Sequence, residues 1–135
     1  MHQKLLTVKT KGRGFYDITQ DLTAFVNAKK ISVGLCQLFI QHTSASLIIT
    51  ENADPTVKQD LNSFMLKIAP DGASLYQHDL EGDDDMPAHI RSALTTSALT
   101  IPIVNGQLGL GTWQGVYCWE HRFSSHNRCI VITLA

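Results

Sequence analysis

Leu99-Thr100-Ile101-Pro102-Ile103-Val104-Asn105-Gly106-Gln107-Leu108 is the stretch that decides the fold reading. Leu99, Ile101 and Ile103 alternate with residues facing the other way, the period of a half-buried strand. Asn105-Gly106 follows, a strong tight-turn signal, so a return strand is expected. Residues 113–121 and 128–134 read as two further strands, which makes the last third β in character. Upstream, residues 3–11, 34–41 and 45–51 read as strands. Between them, Ile18, Leu22, Phe25 and Val26 fall at the one-face spacing of an amphipathic helix. Asp54-Pro55 opens a second helix: Asp is a good N-cap, and the missing N–H of Pro costs nothing at the first helical position. Val57, Leu61, Phe64, Met65 and Ile68 continue it, and Pro70 with Gly72 ends it. A loop with few apolar residues, 74–86, precedes a shorter helix that starts at Pro87 and carries Ile90 and Leu94. Strands and helices do not alternate strictly, which disfavours a doubly wound parallel sheet. The expectation is an α+β fold, a mainly antiparallel sheet assembly with two to three packed helices.

The chain has 135 residues, 44% of them hydrophobic and 17% charged. That is enough for one core and argues for a single domain over 1–135. A formal net charge of −1 leaves no basic field for a nucleic-acid backbone or an acidic membrane surface. Sparse charge leaves apolar surface that a subunit contact could cover. Cys36, Cys118 and Cys129 each lie in an apolar, strand-like run, where thiols serve as small core residues. A disulfide framework is not expected, which fits a reducing compartment. The N-terminus lacks the apolar stretch of a signal peptide, and no run approaches the ~20 apolar residues that span a bilayer. The expected location is the cytoplasm.

Three clusters could carry chemistry. In Gln41-His42-Thr43-Ser44-Ala45-Ser46, His42 shares a strand face with Cys36, Leu38 and Ile40. Position alone leaves it open as a ligand, an acid or base, or a satisfied structural group. Ser44 could share its face, but no local carboxylate completes a triad, so a serine hydrolase is disfavoured. The second cluster runs from His78-Asp79-Leu80-Glu81-Gly82 through Asp83-Asp84-Asp85 to Met86-Pro87-Ala88-His89. It matches no compact metal motif. Asp83, Asp84 and Asp85 read as a solvated run that favours the next helix N-terminus, while His78, Asp79, Glu81 and His89 stay open between solvation and function. The third cluster is Asn105 to Gln114, where the glycines fit a hairpin better than a phosphate cradle, since no helix follows them. Beyond it, Trp113, Tyr117 and Trp119 share one strand face and Gln114, Val116, Cys118 and Glu120 the other. The aromatic face is the stronger candidate for burial, and Gln114 and Glu120 would then face a pocket or a subunit contact.

Taken together these clusters resemble the YjbQ-like family, also called the secondary thiamine-phosphate synthase family. The resemblance runs from about residue 13 to the C-terminus. It is carried by Gln41-His42-Thr43-Ser44-Ala45-Ser46, Glu51-Asn52-x-Asp54-Pro55, His78-Asp79-x-Glu81-Gly82, Pro87-Ala88-His89-Ile90 and Leu108-x-Leu110-Gly111-Thr112-Trp113-Gln114. Many members follow the last strand with Glu-x-Asp-Gly-Pro-Arg-x-Arg. Here Glu120 leads instead into His121-Arg122-Phe123-Ser124-Ser125-His126-Asn127-Arg128, which leaves Glu120 and Arg128 as counterparts, and the resemblance carries no ligand role over to the 121–127 loop.

The resemblance implies a homotrimer with its polar residues near subunit interfaces, and a metal or anion site at His42, His78 and His89. It also implies condensation of hydroxymethylpyrimidine diphosphate with thiazole phosphate, releasing diphosphate. On that expectation the three histidines hold a divalent ion, zinc or magnesium, with Asp79 or Glu81 orienting a ligand. Arg128 meets a phosphate of the small phosphorylated substrate, and Ser44, Asn52, Trp113, Gln114 and Glu120 line the substrate site. Non-catalytic binding of a small phosphorylated metabolite and metal-dependent hydrolysis are the alternatives.

Overall fold

The computed structural model describes residues 1–135. In chain order the elements are β1 (His2–Lys9), β2 (Gly14–Asp17), α1 (Thr19–Lys29), β3 (Gly34–Ile40), β4 (Ala45–Glu51) and α2 (Pro55–Ile68), then α3 (Asp85–Leu94), β5 (Ala98–Val104), β6 (Gln107–Leu108), β7 (Gln114–Glu120) and β8 (Asn127–Leu134). A short 3₁₀ turn, Ala73–Leu75, interrupts the loop between α2 and α3. The strands form a five-stranded sheet, β1-β8-β3-β5-β6, and a three-stranded sheet, β2-β7-β4. Every pairing is antiparallel. The expected α+β architecture is therefore the observed one.

The alternation read from sequence decides what faces inward. Cys36, Leu38 and Ile40 of β3, Ile101 and Ile103 of β5, and Ile130, Ile132 and Leu134 of β8 form one wall of the core. Ala45 and Leu47 of β4 with Val116 and Cys118 of β7 form the facing wall, and Ile18, Leu22, Phe25 and Val26 bring α1 into the same cluster. Truncating a side chain as enclosed as Leu38 would cost about 2–5 kcal/mol. Burial drives the thiols of Cys36 and Cys118 up to about 11 and about 12, so both stay protonated and act as small hydrophobes.

The hairpin forms as expected: Ile103 pairs with Leu108 and Val104 with Gln107, leaving Asn105 (φ 50°) and Gly106 (φ 79°) as the two turn residues. Both φ values are positive, which is what a two-residue turn needs to match strand twist. The cap also forms, with the Asp54 carboxylate accepting from the Thr56 N–H at 2.9 Å. No helix is long and apolar enough to cross a membrane.

Three expectations are corrected. Gly14–Asp17 was not expected to be a strand, and its pairing with β7 makes it one. α3 starts at Asp85 rather than at Pro87, because a proline anywhere in the first turn removes only an N–H that has little use there. The third concerns β7, which is buried on both sides. Its Val116 and Cys118 face enters the core, while Tyr117 and Trp119 are covered by Phe15 and α2. The Phe15 ring stacks on Trp119 at 4.6 Å, and Trp119 Nε1 donates to Asn62. Trp113 is outside that aromatic layer and 64% exposed.

Candidate metal centre and the cleft beside it

The four-residue spacing between Asp85 and His89 puts both on one face of α3. The loop before the helix brings His78 to the same place. His78 Nε2 lies 2.7 Å from Asp85 Oδ2, and His89 Nε2 lies 3.4 Å from Asp85 Oδ1. Ligand atoms of the three residues all fall within 4.8 Å of one another. The His78 side chain is 53% exposed and the Asp85 side chain 2%, so the cluster is anchored below and open above. The ring of His89 is oriented by the backbone: its Nδ1 lies 3.0 Å from the Thr43 carbonyl. A carbonyl can only accept, so a proton sits on Nδ1, and Nε2 is the ring nitrogen turned towards Asp85.

Asp85 is held from behind. Arg122 donates through Nη1 to Asp85 Oδ1 and through Nε to Asp84 Oδ2, each at 2.9 Å, and through Nη2 to the Glu81 carbonyl. Burial would push the Asp84 carboxyl up, but the Phe123 N–H and the Arg122 guanidinium outweigh it and hold it below the ordinary value. Asp84 and Asp85 are buried, so the reading of this run as solvated applies only to Asp83. Sequence reasoning missed Asp85 and Arg122. Nothing local marked one aspartate of three, because its partner lies 37 residues away.

His42 stands outside the cluster. The Cys129 N–H donates to its Nε2 at 2.8 Å, which uses the lone pair and places the ring proton on Nδ1. Burial lowers its pKa, assisted by the charge of Arg128. A neutral ring committed in this way has no lone pair for a metal, so the three-histidine set is not assembled in this conformation; Asp85 takes the third place. His42 nevertheless shares with His89 a cleft of about 280 Å³, whose other walls are Thr43, Ala45, Ser92, Ala93, Thr96 and Ser97.

The remaining expected residues are dispersed. Asp79 and Glu81 are exposed, and the carboxylate on the histidines is Asp85 instead. Arg128 is 3% exposed and committed to Glu120 through Nε and Nη2, with Nη2 also donating to Ser44 Oγ. Arg128 does not line the cleft. Glu120 is fully buried and also accepts from Thr10 Oγ1 at 2.6 Å. Burial would raise its carboxyl, yet the Arg128 and Thr10 hydrogen bonds bring it below the ordinary value. Asn52 is exposed and donates to the Thr112 carbonyl, and Gln114 accepts from the Gly111 N–H. Neither of these, nor Trp113, lines the cleft.

A two-sheet α+β fold that gathers two histidines and one buried aspartate, with one of the histidines lining a cleft, is the class that these features define. The chain belongs to the family described as UPF0047 protein YjbQ-like, which it matches over residues 4–135. It is 50% identical to a UPF0047 protein of Synechocystis over 97% of this chain and 89% of that one. It is 43% identical to YjbQ of Escherichia coli O157:H7 over 98% and 96%. Among solved structures, an uncharacterized YjbQ/UPF0047 protein of Clostridium acetobutylicum superposes with a TM-score of 0.88 at 34% identity, covering 98% of this chain and 99% of that one. A hypothetical protein of Aeropyrum pernix does so with a TM-score of 0.89 at 26% identity, over 100% and 98%.

Proposed function

We propose that this protein is a metal-dependent enzyme acting on a small phosphorylated substrate held in the cleft beside His89. The convergence of His78 Nε2, His89 Nε2 and Asp85 carries this reading. Two imidazoles and one carboxylate suit a borderline divalent ion such as zinc better than magnesium, which prefers oxygen ligands. Three protein ligands also leave coordination positions open, the pattern of a catalytic site. When bound, the ion supplies Lewis acidity to a phosphoryl oxygen.

The chain's own residues do the rest. No lysine or arginine lines the cleft, so only the ion would meet the charge of a phosphate there. Of the hydroxyls that line the cleft, Ser92 donates to the Ala45 carbonyl and Thr96 to the Ala98 carbonyl, which leaves those of Thr43 and Ser97 to donate to polar oxygens of the substrate. His42, neutral with its proton on Nδ1, is a fixed donor towards a departing oxygen. Arg122 donates to Asp85 and holds it in place.

The family resemblance favours condensation of hydroxymethylpyrimidine diphosphate with thiazole phosphate, with release of diphosphate. Cleft size favours a second reading. About 280 Å³ lies at the small end of ligand sites, with room for one such substrate in one chain, and hydrolysis needs only one substrate and water. The two are separated by assaying thiamine phosphate formation and phosphate release in parallel, with metal content measured on the same samples. Stoichiometric zinc, with turnover in one assay that disappears in His89→Ala, is the expected result. A folded protein that takes up no divalent ion, and binds a phosphorylated metabolite without turning it over, would sink the enzyme reading.

A homotrimer is part of the same proposal. Leu5, Leu35, Phe39 and Val104 lie about half exposed, on the side of the five-stranded sheet opposite the core, where a second copy would cover them. Analytical ultracentrifugation of the native chain and of Phe39→Glu should give a trimer and a smaller species respectively.

A further inference from the structure

A second cavity, of about 320 Å³, is lined by Lys9, Thr10, Lys11, Ser125, His126 and Asn127. It shares no lining residue with the cleft beside His89. The chain as a whole has a net charge of −1, yet this lining holds two lysines and no carboxylate. Lys9 and Lys11 flank a buried Thr10, so both side chains project to the same side. Every ion pair in the protein is made by an arginine or a histidine, which leaves both ammonium groups unpaired.

The floor of this cavity is fixed. The Thr10 N–H donates to the His126 carbonyl at 2.8 Å, and the His126 N–H donates back to Thr10 Oγ1 at 3.1 Å. The His126 Nδ1 lies 2.9 Å from the Ser124 carbonyl, which places a proton there and leaves Nε2 uncommitted. The nearest carboxylate is Glu120, 3.8 Å from His126 Nδ1. It is fully buried, and Arg128 already balances its charge. Two like charges gathered without a counter-charge repel one another unless an anion joins them.

We propose that Lys9 and Lys11 form, beside the His126 ring, an anion site that takes a phosphate monoester. Ser125 and Asn127 add uncharged donors on its rim, and the ammonium groups supply the attraction. The site is independent of the metal cluster, and it gives the protein a second place to hold a phosphorylated molecule.

The test is a titration of the full chain, treated with chelator, with inorganic phosphate and then glycerol phosphate, following the His126 ring by NMR. Sodium chloride at matched ionic strength is the control. The expected result is a saturable shift of His126 that phosphate produces and chloride does not. Each of Lys9→Ala and Lys11→Ala should weaken it about threefold to fivefold, since each removes one exposed charge contact. Both lysines are exposed, so the variants should fold. His89→Ala should leave the shift intact even if it abolishes metal uptake, which separates this site from the proposed function. A shift that fails to saturate, that chloride reproduces, or that survives in the double lysine variant would overturn the proposal.

Discussion

Two charged clusters of this protein use nearly the same chemistry and are built in opposite ways. Glu120 and Arg128 face each other with side-chain exposures of 0% and 4%, and the carboxylate is filled by Thr10, Arg128 and the N–H groups of His121 and Arg122. His78, Asp85 and His89 also join imidazole to carboxylate, but both histidines reach solvent, and a bound ion would replace the protons between them. A closed cluster whose every acceptor is occupied holds a fold together and has nothing left with which to bind. An open cluster contributes little to stability and can accept a ligand. The difference lies in exposure rather than in residue type.

That contrast can be broken at several points. Glu120→Ala leaves the Arg128 guanidinium buried and uncompensated, and the expected loss is about 3–5 kcal/mol in denaturant unfolding, with unchanged metal affinity per folded molecule. An intermediate cost is expected for Asp85→Asn, about 2 kcal/mol, because Arg122 loses a charged acceptor while the carboxamide keeps the shape. The same variant should lose divalent-ion uptake, measured by elemental analysis, and retention of full uptake would remove Asp85 from the site.

The third point of attack is pH. His121 is fully buried beside Trp119 and Ser46, and burial drives its pKa from 6.5 down to about 3. Between those values the unfolded chain binds a proton that the folded chain refuses. Stability is therefore unaffected above the unfolded value, falls as pH drops through it, and levels off below the folded value. The slope is about 1.4 kcal/mol per pH unit from this residue alone. Thermal unfolding across the upper part of that window, above the carboxylate range, reads it together with the same-signed contribution of His42, and the part that His121→Gln removes belongs to His121. The smallest stability effect belongs to the open cluster. His89→Ala should cost about 1 kcal/mol or less, the value of one partly exposed hydrogen bond to Thr43, while abolishing metal uptake. A large destabilisation by that variant would show that the open cluster is structural after all.

Local signals were legible wherever one residue type has one physical use. Asn105-Gly106 announced the hairpin because both positions need positive φ, and Asp54-Pro55 announced α2 because each fits its place at a helix start. β2 was invisible: four residues without alternation acquire strand character only by pairing with β7. His78 and His89 were recognisable as a pair, whereas the identity of their partner was not. His42 looked equal to them in sequence, and a single backbone N–H from Cys129 took its lone pair.

The amino-acid sequence by itself determined the periodicities, the caps and turns, and hence an antiparallel α+β fold, since these depend on contacts within a few residues. Only the tertiary structure decided which two of three consecutive aspartates are buried, which histidines face a carboxylate rather than a backbone N–H, and which carboxylate each arginine meets. Those outcomes depend on partners such as Arg122 for Asp85, Cys129 for His42 and Glu120 for Arg128, and on how deeply each pair is taken out of water.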